Sequence, residues 1–179
     1  LGVIHIVRDP RDLINSLKYH WSLSDDYEAM NKLLDEQNAT GIKIDKDKDY
    51  SFPVMISSWN EHYNSWKKIK KNYLLIKYED LINNPELQIK VIIKYLQKFI
   101  KFEINDKKIQ NIIKTTTFDN FKNLEKKGLF EESNLNQSGE KKTFFNQGPN
   151  NNWKKSLNQK IIQKIENKCL DEMKELNYL

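Results

Sequence analysis

The chain has 179 residues, 38% of them hydrophobic, with 4 Trp, 8 Tyr and 8 Phe scattered along it, which is enough apolar material for a cored domain and too much for wholesale disorder. Its basic and acidic residues leave a net charge of +5, but the two signs are interspersed, so the pattern reads as a solvated Lys-rich surface and not as a polyanion-binding block. The single Cys169 excludes an internal disulfide, three scattered histidines cannot complete a zinc site with it, and no apolar run reaches the roughly 18 residues of a membrane span.

Residues 2–7, GVIHIV, form a short, β-branched, almost wholly apolar run, the pattern of a strand buried on both faces of a parallel sheet. Asp9 is placed to cap a following helix, with Pro10 at its first position and Asp12 in its first turn. Leu13, Ile14, Leu17 and Trp21 give that helix an apolar stripe. Residues 22–50 are polar, with a weak helical pattern from Ala29 to Leu34, and GIKIDKDKDY reads as a mobile excursion. The spacing of Phe52, Met55, Ile56, Trp59, His62, Trp66 and Ile69 predicts a helix over 53–70.

YLLIK at 73–77 is the second strand, and Asn84 and Pro85 open a helix with Val91, Ile92, Tyr95, Leu96 and Phe99 expected to face inward. Shorter helices are predicted near 106–114 and 118–127, the latter stopped by Gly128. Residues 128–152 are loop-like, and Ser156 is expected to cap a last helix striped by Leu157, Ile161, Ile165, Cys169 and Met173. The order is α/β, with a parallel sheet flanked by helices and no internal repeat, and is expected to form a single domain over 1–179. Two strands make a poor sheet, so further strands are expected upstream of Leu1, which would make this the C-terminal part of a longer protein.

Of 30 basic residues only Arg8 and Arg11 are arginine, and both follow the first strand. Arginine's planar fork captures phosphate or carboxylate in a bidentate manner that a Lys point charge does not reproduce. Ligands of open α/β sheets gather at the carboxyl ends of strands, where helix N-termini present N–H groups to anions. Arg8 therefore marks an anion site, and Ser16, two turns into the next helix, is a candidate second donor.

The stretch VRDPRDLINSLKYHW resembles the 3′-phosphate-binding segment of sulfotransferases that use 3′-phosphoadenylyl sulfate (PAPS) as donor. WNEHYNSW at 59–66, LLIKYEDLINNP at 74–85, TTTFDNF at 115–121 and FFNQGPNNNWKK at 144–155 are similar to further segments of that family, in the family's order. The resemblance implies the family's P-loop-nucleotide-hydrolase-like fold, lacking its N-terminal part here. It also implies sulfuryl transfer from PAPS to an acceptor hydroxyl or amine, without a metal. Under it Arg8 and Ser16 hold the 3′-phosphate, Tyr78 contacts the adenine side, and Thr116, Thr117, Phe118, Asn146, Gln147 and Gly148 line the nucleotide. Residues 22–50 are then a variable excursion that helps shape the acceptor pocket, and 128–152 the nucleotide-side loop.

Two departures accompany it. The loop that reads Arg-Lys-Gly in the family reads Asn146-Gln147-Gly148 here, with amides in place of two cations. The family's phosphosulfate loop, its Lys and its catalytic His lie before the segment at which this chain starts, so no catalytic residue is assigned and the chain is expected to be inactive by itself. Neither His5 nor His62 takes that role: His62 shares a helical face with Trp59 and Trp66 and is expected to be a packed, hydrogen-bonded residue. Glu79 and Asp80 are expected in a loop, Thr115, Thr116 and Thr117 as cap material for the helix at Phe118, and Trp153 as an anchor. Two other readings are a noncatalytic 3′-phosphoadenosine-binding module and a Lys-rich nucleic-acid binder. The latter calls for aromatics interleaved with a basic stripe, which the sequence does not show, and no nucleic-acid partner is expected. No signal segment opens the chain, and a cytoplasmic location is expected.

Overall fold

The computed structural model describes residues 2–40, 54–130, 134–135, 141–150 and 152–179. They fall into two compact units. One comprises Leu1–Arg8, His20–Ser22 and Ile69–Asn152, the other Asp9–Tyr19, Leu23–Lys68 and Trp153–Leu179.

The first unit is built on β1 (Val3–Val7) and β4 (Tyr73–Lys77), which pair in parallel from Val3 opposite Tyr73 to Val7 opposite Lys77. Both sequence-predicted strands are thus present, and they are each other's neighbours. Val7 and Ile76 are buried on them, and the buried His5 is hydrogen bonded through Nδ1 to the Tyr73 hydroxyl at 2.7 Å. β4 runs directly into α4 (Tyr78–Asn83), so Glu79 and Asp80 lie in a helix and not in the expected loop. Extended Lys77 serves as the N-cap, and the turn needs no intervening residues.

Pro85 then starts α5 (Pro85–Leu96), followed by α6 (Asp106–Thr115) and α7 (Phe118–Lys126). Tyr95 and Ile109 are buried, but Val91 and Phe99, expected inward, stay exposed at 37% and 41%. Gly128 ends the last of these helices with φ +70°, a conformation that a side chain disfavours. Short β5 (Asn134–Leu135) and β6 (Lys141–Lys142) pair antiparallel before a single 3₁₀ turn, Gly148–Asn150.

The second unit holds most of α1 (Pro10–Trp21), with α2 (Asp26–Leu34), β2 (Ala39–Thr40), β3 (Val54–Met55), α3 (Trp59–Lys67), α8 (Trp153–Ser156), α9 (Gln159–Lys168) and α10 (Leu170–Glu175). Its core gathers Ile14, Ala29, Met30, Leu33, Ile161, Ile165, Cys169 and Met173, so the stripe read along the last helical segment is buried from Ile161 to Met173, with Leu157 only partly buried against it. The cap differs. Asn158, not Ser156, accepts from the Lys160 N–H at 2.8 Å, and Cys169, at φ −112° and ψ 24°, divides the segment into two helices.

The helix expected over 53–70 spans only Trp59–Lys67. Upstream, Val54 and Met55 pair with Thr40 and Ala39, Ile56 and Ser57 both donate to the Asn38 carbonyl at 2.8 Å, and Ser57 sits at φ +64°. That left-handed residue breaks the helical path, and Ser58 begins it afresh. Phe52 and the excursion GIKIDKDKDY at 41–50 lie outside the described residues.

Candidate nucleotide-binding site

The parallel register fixes the first part of the site. Because Val7 lies opposite Lys77, the residues that follow them, Arg8 and Tyr78, leave the sheet side by side. The Arg8 guanidinium carbon lies 4.3 Å from the centre of the Tyr78 ring, and both side chains are half-buried. A ring face against a guanidinium stabilises the cation and limits its orientations, so the fork is held where the strands end.

A second group in the same unit surrounds the start of α7. Thr117 caps it, its hydroxyl oxygen accepting from the Asn120 N–H at 3.2 Å, and the Asn120 amide donates to the Thr115 carbonyl at 2.6 Å. The Thr116 hydroxyl donates to the Ile112 carbonyl at 2.7 Å. Phe118 follows, and Gly148 lies against its ring so closely that an ideal Cβ would come within 2.3 Å of a ring carbon. With φ +56°, Gly148 is required both by its backbone and by this approach. Lys122, one turn further along, places Nζ 5.8 Å from the Phe118 ring centre. Asn146 and Gln147 are exposed just before Gly148. The structure thus brings Arg8 to Tyr78 and Phe118 to Gly148, while the Thr116 and Thr117 hydroxyls are engaged in local bonds at the ends of their helices.

Ser16 belongs to the second unit, where it is exposed on α1. The second arginine is there too, with a different task. Arg11 is 5% exposed; its Nη2 donates to Asp9 Oδ2 at 2.7 Å and to the Tyr178 carbonyl at 2.7 Å, its Nη1 to Glu166 Oε1 at 2.5 Å. Its guanidinium also lies 3.9 Å from the Trp153 ring centre, and the Trp153 N–H donates to Asp12 Oδ1 at 2.9 Å, which accounts for the expected anchoring role of Trp153. Burial alone would lower the Arg11 pKa, but hydrogen bonds and charge from Asp9, then Glu166, outweigh it and raise it. Asp9 also accepts from the Arg11 backbone N–H at 2.9 Å, completing the predicted helix cap.

His62 accepts from Trp66 Nε1 at 3.0 Å and is half-buried, and burial lowers its pKa. Burial likewise pushes the Cys169 thiol up to about 12, leaving it protonated and unreactive at neutral pH. Among the described residues no group of His, Cys, Asp and Glu is arranged to hold a metal ion, and no helix is long and apolar enough to cross a membrane.

The sequence reading missed what lies behind the loop. Phe144 and Phe145 join Phe118, Phe121 and Phe130 in one aromatic cluster, Phe145 stacking on Phe121 at 5.5 Å with the rings 13° apart. Glu125 accepts from the backbone N–H groups of both Phe144 and Phe145, the latter at 3.1 Å. The sequence signal was the adjacent pair of Phe residues directly before Asn146, an apolar handle on an otherwise polar loop.

The family model described as the sulfotransferase domain matches residues 1–177. Sulfotransferase 2A1 of Rattus norvegicus is 27% identical over 143 residues, covering 76% of this chain and 47% of the relative. Sulfotransferase 1 family member D1 of Mus musculus is 24% identical over 179 residues, covering 97% of this chain and 55% of the relative. The chain thus spans about half the length of the curated relatives it matches. In fold it is similar to the crystal structure of the mouse sulfotransferase SULT7A1 complexed with PAP, with a TM-score of 0.64 at 19% identity, covering 96% of this chain and 58% of that one.

Proposed function

This chain belongs to the sulfotransferase family and has its α/β fold, and from that we propose that it forms the nucleotide-gripping part of an enzyme that sulfates an acceptor hydroxyl or amine. The observation that carries the reading is the Arg8 guanidinium held on the Tyr78 ring at the carboxyl ends of two paired parallel strands. A fixed fork beside an aromatic face suits a ligand that is anionic at one end and a flat heterocycle at the other. PAPS, the donor, is such a nucleotide and supplies an activated sulfuryl group when bound. The SULT7A1 structure, solved as a complex with PAP, is consistent with this.

In this reading Arg8 binds the 3′-phosphate, and Ser16 joins it on the strength of its eight-residue spacing. Tyr78 and Phe118 border the base, Thr116 and Thr117 flank it, and Asn146, Gln147 and the Gly148 N–H donate to phosphate oxygens. Each charge-assisted bond contributes on the order of 1.5–3 kcal/mol. The work of these residues is positioning and charge stabilisation. The family model runs through residues of both compact units, which supports reading them as parts of one domain. We place the protein in the cytoplasm, where its free, buried Cys169 stays reduced.

Titration of the purified protein with adenosine 3′,5′-bisphosphate, adenosine 5′-monophosphate and arbitrary single-stranded DNA tests the assignment. Clear preference for the bisphosphate supports it. Equal affinity for the two nucleotides removes the 3′-phosphate site, and tighter, steeply salt-dependent binding of DNA replaces it with a nucleic-acid binder.

A further inference from the structure

We propose that Glu125 is a positioning residue for the donor nucleotide, fixing the neutral loop 146–148 in its phosphate-binding form; this rests on the function proposed above. Asn146 and Gln147 bring no charge to a phosphate. A loop that binds an anion with amide and backbone donors depends on having those donors already aimed, because each bond is weaker than one from a cation and ordering the loop on binding consumes affinity.

The structure holds this loop from behind. Glu125, near the end of α7, extends one carboxylate oxygen to the Phe144 N–H and the other to the Phe145 N–H, at 3.1 Å for the second. Two successive amides on the two oxygens of one carboxylate fix the peptide plane between them, the kind of constraint that a single acceptor atom does not impose. The fastening is next to the loop, since Asn146 follows Phe145 directly. Further along, Gly148 is seated on Phe118, and Phe145 packs edge-on to that same ring with centres 5.8 Å apart. Helix α7 therefore grips the loop before and after its two amide side chains. The aromatic contacts anchor the loop's apolar side, and the carboxylate sets its backbone orientation.

The test compares wild type, Glu125→Ala and Glu125→Gln by titration with adenosine 3′,5′-bisphosphate and adenosine 5′-monophosphate, together with amide hydrogen exchange at Phe144 and Phe145. In Glu125→Ala the bisphosphate Kd is expected to rise about 10-fold while the monophosphate Kd stays within about twofold, and both amides exchange faster. Glu125→Gln keeps one carbonyl acceptor and the side-chain shape, and is expected to fall between the two, giving a readout should the Ala variant fail to fold. Equal weakening of both nucleotides, or an unchanged bisphosphate Kd in either folded variant, overturns the role of Glu125. If wild type itself binds the two nucleotides alike, the 3′-phosphate reading falls and takes this inference with it; preference in wild type without selective loss in the variants overturns this inference alone.

Discussion

The Arg8 guanidinium carbon lies 4.3 Å from the centre of the Tyr78 ring, although 70 residues separate the two in sequence. The contact follows from the parallel register of their strands, which sets Val7 opposite Lys77 and so delivers the next residue of each to the same end of the sheet. Cation and ring are thereby offered together at the place where α/β sheets bind ligands.

The other arginine predicts a loss of stability. Arg11 and Asp9 are 5% and 6% exposed, and the guanidinium binds both Asp9 and Glu166. Arg11→Met leaves the Asp9 carboxylate buried without its counter-charge, which is expected to cost about 3–5 kcal/mol in urea unfolding. A loss below about 1 kcal/mol would show that the pair is replaceable.

Gly148→Ala is expected to disturb the nucleotide side. The added Cβ would meet Phe118 ring carbons at 2.3 to 2.7 Å while the backbone holds φ +56°. Clash and strain together predict a loss of about 1–3 kcal/mol and weaker binding of adenosine 3′,5′-bisphosphate. Unchanged melting and unchanged affinity would mean that the loop relaxes away from Phe118 freely.

The neutral loop can be recharged. Asn146→Arg with Gln147→Lys places two cations on exposed positions directly before Gly148. The bisphosphate is expected to bind about 10-fold more tightly at low salt, with a steeper salt dependence and little change for the monophosphate. An identical gain for both nucleotides would point to general attraction and not to a site for the 3′-phosphate.

Acidification should weaken the second unit through His62. Its Nε2 accepts from Trp66 Nε1, and burial keeps its folded pKa below the ordinary 6.5. Above that pH both folded and unfolded chains are neutral at this site. As the pH falls below it the unfolded chain takes up the proton first, so stability declines until the folded pKa is passed. Melting curves near neutral pH and about pH 5 should show a smaller acid-dependent drop in His62→Phe than in wild type; equal drops would assign the effect elsewhere.

Local signals carried much of the fold and less of the site. The apolar runs at 3–7 and 73–77 announced themselves as strands, but the burial on both faces expected of the first is not met, since Ile6 is 50% exposed. The helix at Trp59–Lys67 is shorter than its apolar spacing predicts, since that spacing runs back through Met55 and Ile56 while the capture of Ile56 and Ser57 by Asn38 is a long-range event. Arginine scarcity marked positions that need a fork without saying which anion the fork meets. For Arg11 it is Asp9, two residues away, and Glu166, 155 residues away. Glu125 was invisible for the same reason: its partners are backbone amides about twenty positions downstream, and amides leave no trace in residue identity.

The decisive measurement is the affinity of Arg8→Ala and Arg8→Lys, each checked for unchanged melting, for adenosine 3′,5′-bisphosphate and adenosine 5′-monophosphate. Loss of the fork is expected to raise the bisphosphate Kd about 10- to 100-fold in Arg8→Ala, with partial recovery in Arg8→Lys and little change for the monophosphate. Wild-type affinity for the bisphosphate in Arg8→Ala, or equal loss of both nucleotides, would contradict the account.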